Sequence, residues 1–171
     1  VLPINRAGAS LNGDGIINTA FANEGRLVVS GRLAVNTGFT NTGIIEMAAA
    51  GASFMGSEVT NTGTIHGHGQ MANNISNSGL IESLHYTLTL SGTVTNTSSG
   101  RISAASSSKL VAAGGMAAND GQINLTGGTV DNNGHALTNN GQITGYGTLR
   151  TGGLTNNNSV LLAGGTATVD G

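Results

Sequence analysis

The sequence predicts an all-β protein folded as a parallel β-helix, or β-solenoid, with roughly 19 residues per coil and eight to nine coils. Three observations lead there. A short unit, apolar–x–Asn–x–Gly–x–aliphatic, recurs along most of the chain. Its period is far below the roughly 33 residues that a two-helix repeat needs. The residues between copies are mainly Gly, Asn, Thr, Ser and small aliphatics. These are poor in helix interiors, and here they alternate as strands do.

The copies are FANEGRL from Phe21, FTNTGII from Phe39, VTNTGTI from Val59 and ISNSGLI from Ile75. VTNTSSGRI follows from Val94, MAANDGQI from Met116, LTNNGQI from Leu137 and LTNNNSV from Leu154. The steps are uneven, the shortest from Val59 to Ile75 and the longest from Val94 to Met116. Two copies carry insertions, Ser98-Ser99 in one and a residue before Asn119 in the other, and the last has Asn158 where Gly is expected. Residues 1–20 read as a degenerate first coil, with LNGDGII (Leu11 to Ile17) as its copy of the unit; residues 21–171 read as continuous coils of the same single domain. Collagen would need Gly at every third position and much more proline than Pro3 alone. A leucine-rich repeat would need more leucines per unit.

Each repeated residue then has a task. Phe21, Phe39, Val59, Ile75 and Val94 form one inward row, and Leu27, Ile45, Ile65, Ile81, Ile102, Ile123, Ile143 and Val160 form another. Asn23, Asn41, Asn61, Asn77, Asn96, Asn119, Asn139 and Asn156 are expected to stack as a ladder, each amide donating to the next. Gly25, Gly43, Gly63, Gly79, Gly121 and Gly141 are expected to occupy turns with positive φ. Within the strands, Ile143, Gly145, Gly147 and Leu149 should share one face, and Leu84, Tyr86, Leu88 and Leu90 should share a parity. The four methionines are expected in the core.

The unit, followed by a Gly/Ala-rich stretch and a leucine-containing strand, resembles the shaft repeats of filamentous haemagglutinin-type bacterial exoproteins and of autotransporter-like passengers. LTNNGQITGYGTLRTGG (Leu137 to Gly153) is the nearest stretch, and the resemblance covers residues 21–171. It implies a right-handed coil and a role as secreted shaft material.

Composition narrows the function. Charged residues are 8% of the chain, Lys and Arg together number 6, and the net charge is −2. Nucleic-acid binding needs a basic stripe, which so few scattered cations cannot form. No apolar run approaches the roughly 20 residues of a membrane helix. Without cysteine there is no disulfide framework and no thiolate metal site. A start at Val1 rather than Met suggests a processed chain or a fragment.

Few residues rise above the scaffold. Most of the carboxylates and cations fall at different coil positions, and there is no nucleophile elbow or phosphate-binding loop. One column merits weighing. Glu46, His66 and Glu82 follow the inward aliphatic in three successive coils, with His68 two residues beyond His66. They read as charge pairing on a solvated face or as a divalent metal site. His85 and His135 read as surface residues, and His66 and Tyr146 as outward-facing rings. The expected function is therefore an extracellular, non-enzymatic structural solenoid. It would be a subunit of a self-assembling surface fibre or a shaft segment of a large adhesin. It would associate end to end or continue in a longer chain, with cell-surface glycans as potential partners and no cofactor. The alternative is a carbohydrate-binding or carbohydrate-cleaving β-helix.

Overall fold

A computed structural model describes residues 3–171. They form a β-solenoid of stacked parallel coils, and the described residues contain no helix. Each coil gives a strand of two or three residues to a nine-stranded parallel sheet, which runs from Ile4–Asn5 to Leu154–Asn156. The rest of the coil enters a second sheet of 12 strands. There it is one long strand in some coils, such as Ile44–Gly56 and Gln122–Asp131, and two in others, such as Arg26–Val29 followed by Arg32–Val35. Paired strands lie about 4.8 Å apart, so the stack is a rod on the order of 40 Å long.

The two inward rows form as their spacing predicts. Ile45, Ile65, Ile81, Ile123 and Ile143 are paired in direct register or in series and are fully buried. Phe21 and Phe39 meet edge to face at 5.3 Å, and Phe39 meets Phe54 at 6.1 Å. A third row, Leu33, Phe54, Met71 and Leu90, closes the core from the far end of the long strands. A coil cannot bury these faces alone, so stability comes from stacking on neighbours.

The Asn ladder is continuous and extends one rung below the expected set. Asn5 Nδ2 donates to Asn23 Oδ1 at 2.7 Å, and the pattern repeats at 2.6–2.8 Å up to the Asn139–Asn156 pair. From Asn23 to Asn139, each Nδ2 also approaches a carbonyl of its own coil and one of the next. For Asn61 these are Gly63 at 3.4 Å and Leu80 at 3.2 Å. The side chains from Asn23 to Asn139 are wholly buried, so their amides depend entirely on one another and on the turn carbonyls.

The glycines of the unit differ from expectation. Gly25, Gly43, Gly63, Gly79, Gly121 and Gly141 do not adopt positive φ. They are glycine because the coils touch there. A Cβ on Gly43 would collide with the Gly25 carbonyl oxygen, and one on Gly63 with that of Gly43. Gly100 joins this column, because the Ser98-Ser99 insertion loops out before it. Positive φ lies elsewhere, at Gly67, Gly127 and Gly145 in the second sheet and at the non-glycine residues His85, Ser107 and Asn133.

Three further expectations change. The first coil's copy of the unit is centred on Asn5. LNGDGII is its later part, with Leu11 opposite Leu27 and Gly15 opposite Leu33. The parity of Leu84 to Leu90 breaks at His85, whose φ of 70° turns Tyr86 outward while Leu88 and Leu90 stay buried. Met47, Met71 and Met116 are core residues, but Met55 faces out, with its Sδ 3.5 Å from Arg32 Nη2.

Two stability measurements check this account. A methyl added at Gly63 has only backbone to displace, whereas one at Gly51 meets open space. Gly63→Ala should therefore cost about 1–3 kcal/mol in denaturant unfolding. Gly51→Ala should stay within about 0.5 kcal/mol of the parent. On the ladder, Asn61→Ala leaves buried partners on both neighbouring rungs, while Asn156 stands at the exposed last rung. Asn61→Ala should cost roughly 3 kcal/mol, and Asn156→Ala less than about 1 kcal/mol.

Candidate functional site

The column of Glu46, His66 and Glu82 forms as the spacing predicts. His66 stands in register with Glu46 on one side and Glu82 on the other. Strand stacking sets their separation, and the side chains do not converge. Glu46 is taken by Arg26 of the coil below, whose Nε donates to Oε2 at 2.7 Å and whose Nη2 contacts the same oxygen. Among the described residues, no three His, Asp or Glu side chains come close enough together to hold a metal ion. The column is thus an ion pair with a histidine beside it. His66 Nε2 is buried and has no hydrogen-bond partner. His68, one turn of the pleat further, leans on Tyr86 with ring centroids 5.0 Å apart.

A second charged column lies nearer the last coil. Asp131, Arg150 and Asp170 occupy one register position in three successive coils. Lys109 Nζ reaches Asp131 Oδ2 at 2.7 Å, Arg150 Nη1 lies 3.9 Å from the same oxygen, and Arg150 Nε lies 3.3 Å from Asp170 Oδ2. Burial works against ionising Asp131. The Lys109 hydrogen bond, the Asn133 backbone N–H at 2.8 Å and the charges of Lys109 and Arg150 outweigh it, and they hold the carboxyl below its ordinary range. The leading unit hides this column, because coil lengths differ. The trailing triplets Thr129-Val-Asp131, Thr148-Leu-Arg150 and Thr168-Val-Asp170 are the sequence signal that marks it.

No protein-family model, no curated protein and no solved structure matches this chain. Function therefore rests on its own residues. Among the described residues, no helix is long and apolar enough to cross a membrane.

The remaining singled-out residues scatter. His85 is exposed at a left-handed position within the strand Leu80–Leu90. His135 is exposed as well, with Nε2 3.3 Å from the Ala113 carbonyl oxygen and its ring against Gly115. Tyr86 and Tyr146 are exposed, at 65% and 39%.

Asp131 supplies a pH test, since its folded pKa is depressed. Such a carboxyl adds stability above its unfolded pKa of about 3.9 and loses it as pH falls through the folded value. Unfolding free energy should therefore drop below about pH 4, and Asp131→Asn should flatten its share of that drop. At pH 7 the variant should be about 1–2 kcal/mol less stable.

Proposed function

We propose that this chain is an extracellular, non-enzymatic structural rod, either a subunit of a self-assembling surface fibre or a shaft segment of a large adhesin. The observation that carries the reading is the unbroken stack itself, in which each coil commits its buried amide and its apolar rows to the coils beside it. Asn156 Nδ2 donates only to the Asn158 carbonyl of its own coil, at 3.1 Å, whereas every earlier member also reaches two acceptors on the next coil, as Asn139 does. The strand Ser159–Asp170 offers its outer edge, and Leu161 and Leu162 stand 63% and 39% exposed. At the opposite end, Leu11 and Ile16 are 38% and 66% exposed around a depression of about 460 Å³ that also meets Ile4 and Phe21.

One end thus offers ladder donors and the other ladder acceptors. In this reading a further coil, from a longer chain or from a second copy, would complete both. A heterologous contact of this kind propagates instead of closing, which is the geometry of a filament. The low charge, the absence of cysteine and the Asn/Thr/Ser-rich surface suit a secreted scaffold. Glycans of a cell surface are the partners such a rod would meet.

Electron microscopy and sedimentation of the purified chain test this. The fibre reading expects filaments with an axial repeat on the order of 40 Å, the stacked height of one copy. They should grow with concentration and shorten in Leu161→Lys, a change outside the core. Monomers of 16.9 kDa at every concentration would remove the fibre reading and leave the shaft segment. If amides of Ser159–Asp170 in that monomer exchanged as slowly as those of Thr64–Met71, the end would need no further coil and the shaft reading would fall too.

A further inference from the structure

The second sheet turns a corner midway along each coil, and the two tyrosines of the chain both stand there. Tyr86 belongs to the coil of Asn77 and Tyr146 to the coil of Asn139, three coils along. Strand spacing puts the two positions on the order of 14 Å apart along the axis. Each ring is held in place. Tyr86 rests on His68 at 5.0 Å between ring centroids. Tyr146 lies across glycines of both neighbouring coils. A Cβ on Gly165 would come within 2.8 Å of Tyr146 Cδ2, and one on Gly127 within 3.1 Å of Cε2. A Cβ at Gly165 would force the ring to shift, and one at Gly127 would press on its edge.

Beside Tyr86 is a depression of about 430 Å³, whose lining includes Tyr86, Thr87, Ser107, Ser108, Gly127 and Thr129; Tyr146 borders it at Gly127. On the other side of Tyr86 a second depression, of about 510 Å³, is lined by Ala50, Gly69, Gln70, Thr87 and Thr89 along with Tyr86 itself. The two share Tyr86 and Thr87 and make a trough along the axis, with the Tyr86 ring as their common wall and hydroxyls and glycines as the floor. One observation marks the first depression as more than a gap between strands. His85 and Ser107, both on its lining, hold φ of 70° and 61°. That conformation costs energy in residues with a side chain.

We infer that this trough is a binding site for a neutral, linear oligosaccharide laid along the rod axis. Tyrosine faces stack on the C–H faces of sugar rings, because both are apolar while their edges remain polar. Thr87, Ser107 and Thr129 supply hydroxyls that can both donate and accept, as sugar hydroxyls require. The ligand is neutral because Lys109, the cation on the lining, is committed to Asp131 at 2.7 Å. The site binds without cleaving, because no carboxylate lines either depression and glycoside hydrolysis takes a flanking pair.

The chain has two tyrosines and no tryptophan, so its intrinsic fluorescence reports on this trough alone. We would titrate the intact chain separately with cellotetraose, chitotetraose and mannotetraose, and with a sulfated tetrasaccharide, and follow tyrosine emission. Saturable change with at least one of the neutral sugars is expected. Tyr86→Ala and Tyr146→Ala should each weaken binding about tenfold, read from the tyrosine that remains, with the far-ultraviolet circular dichroism unchanged. Tyr146→Phe keeps a ring over Gly127 and Gly165. It should bind within about twofold of the parent. Three outcomes would overturn the inference: no saturable change with any tetrasaccharide at millimolar concentration, equal affinity in the alanine variants, or binding of the sulfated sugar only. None of these would touch the end-to-end reading of the rod, which rests on the terminal coils.

Discussion

The buried Asn ladder is the constraint on which the rest depends. A carboxamide has two donors and an acceptor with two lone pairs, and in this corner of the coil water cannot reach it. Each amide must therefore find its partners in protein, and the only side-chain group that repeats at every coil is the same amide one rung away. Asn41, for example, accepts from Asn23, donates to Asn61, and approaches the carbonyls of Gly43 and Thr64. Shifting a coil by one residue would replace this set with buried, unpaired amides, an outcome costly enough to fix the register of the whole stack. The apolar rows favour stacking, and the ladder sets how the coils stack.

That division explains where the coils vary. Ladder neighbours are separated by as few as 16 residues and as many as 23, yet the Asn sheet keeps its register throughout. The slack is taken up elsewhere. Register shifts occur in the second sheet, between Gly67 and Gly69, Thr126 and Thr129, and Gly145 and Gly147. The Ser98-Ser99 insertion leaves the ladder intact and delivers Gly100 to the contact column. Glycines of positive φ cluster where the long strands bend, which is where a coil must absorb an extra or missing residue. The tyrosines stand on this permissive corner, where change does not threaten the stack.

The ladder, the inward rows and the class of fold are legible in the sequence because each is a repeated choice among residue types at one spacing. What a repeat cannot convey is why a position is small. The unit glycines read as left-handed turns, but they are crowded by the carbonyl of the coil below, a tertiary contact that no local pattern encodes. The Glu46–His66–Glu82 column is legible as a column, and its lack of convergence is not. That depends on Arg26, one coil down and displaced by two residues. The Asp131 column lies beyond the ruler, since counting from the leading unit misplaces anything on the far side of a variable corner. Tyr86 is misplaced for a related reason. A single left-handed residue, His85, reverses the parity of the strand beyond it.

The scarcity of charge follows from the same stacking. Equivalent outward residues of neighbouring coils sit about 4.8 Å apart, so a charge repeated at one position would repel itself along the whole rod. Charged columns survive only where the sign alternates, as in Asp131, Arg150 and Asp170, or where a diagonal partner is present, as for Glu46 and Arg26. Elsewhere most outward positions are neutral, and charges such as Glu24, Arg101 and Asp120 stand singly. Thr40, Thr60, Ser76 and Thr95 follow one another on the Asn sheet, and Thr129, Thr148 and Thr168 on the other. A rod built this way has little electrostatic field with which to steer or select a partner. On such sides rings and hydroxyls are the groups left that could make specific contacts, and the two exposed tyrosines both stand where the second sheet bends.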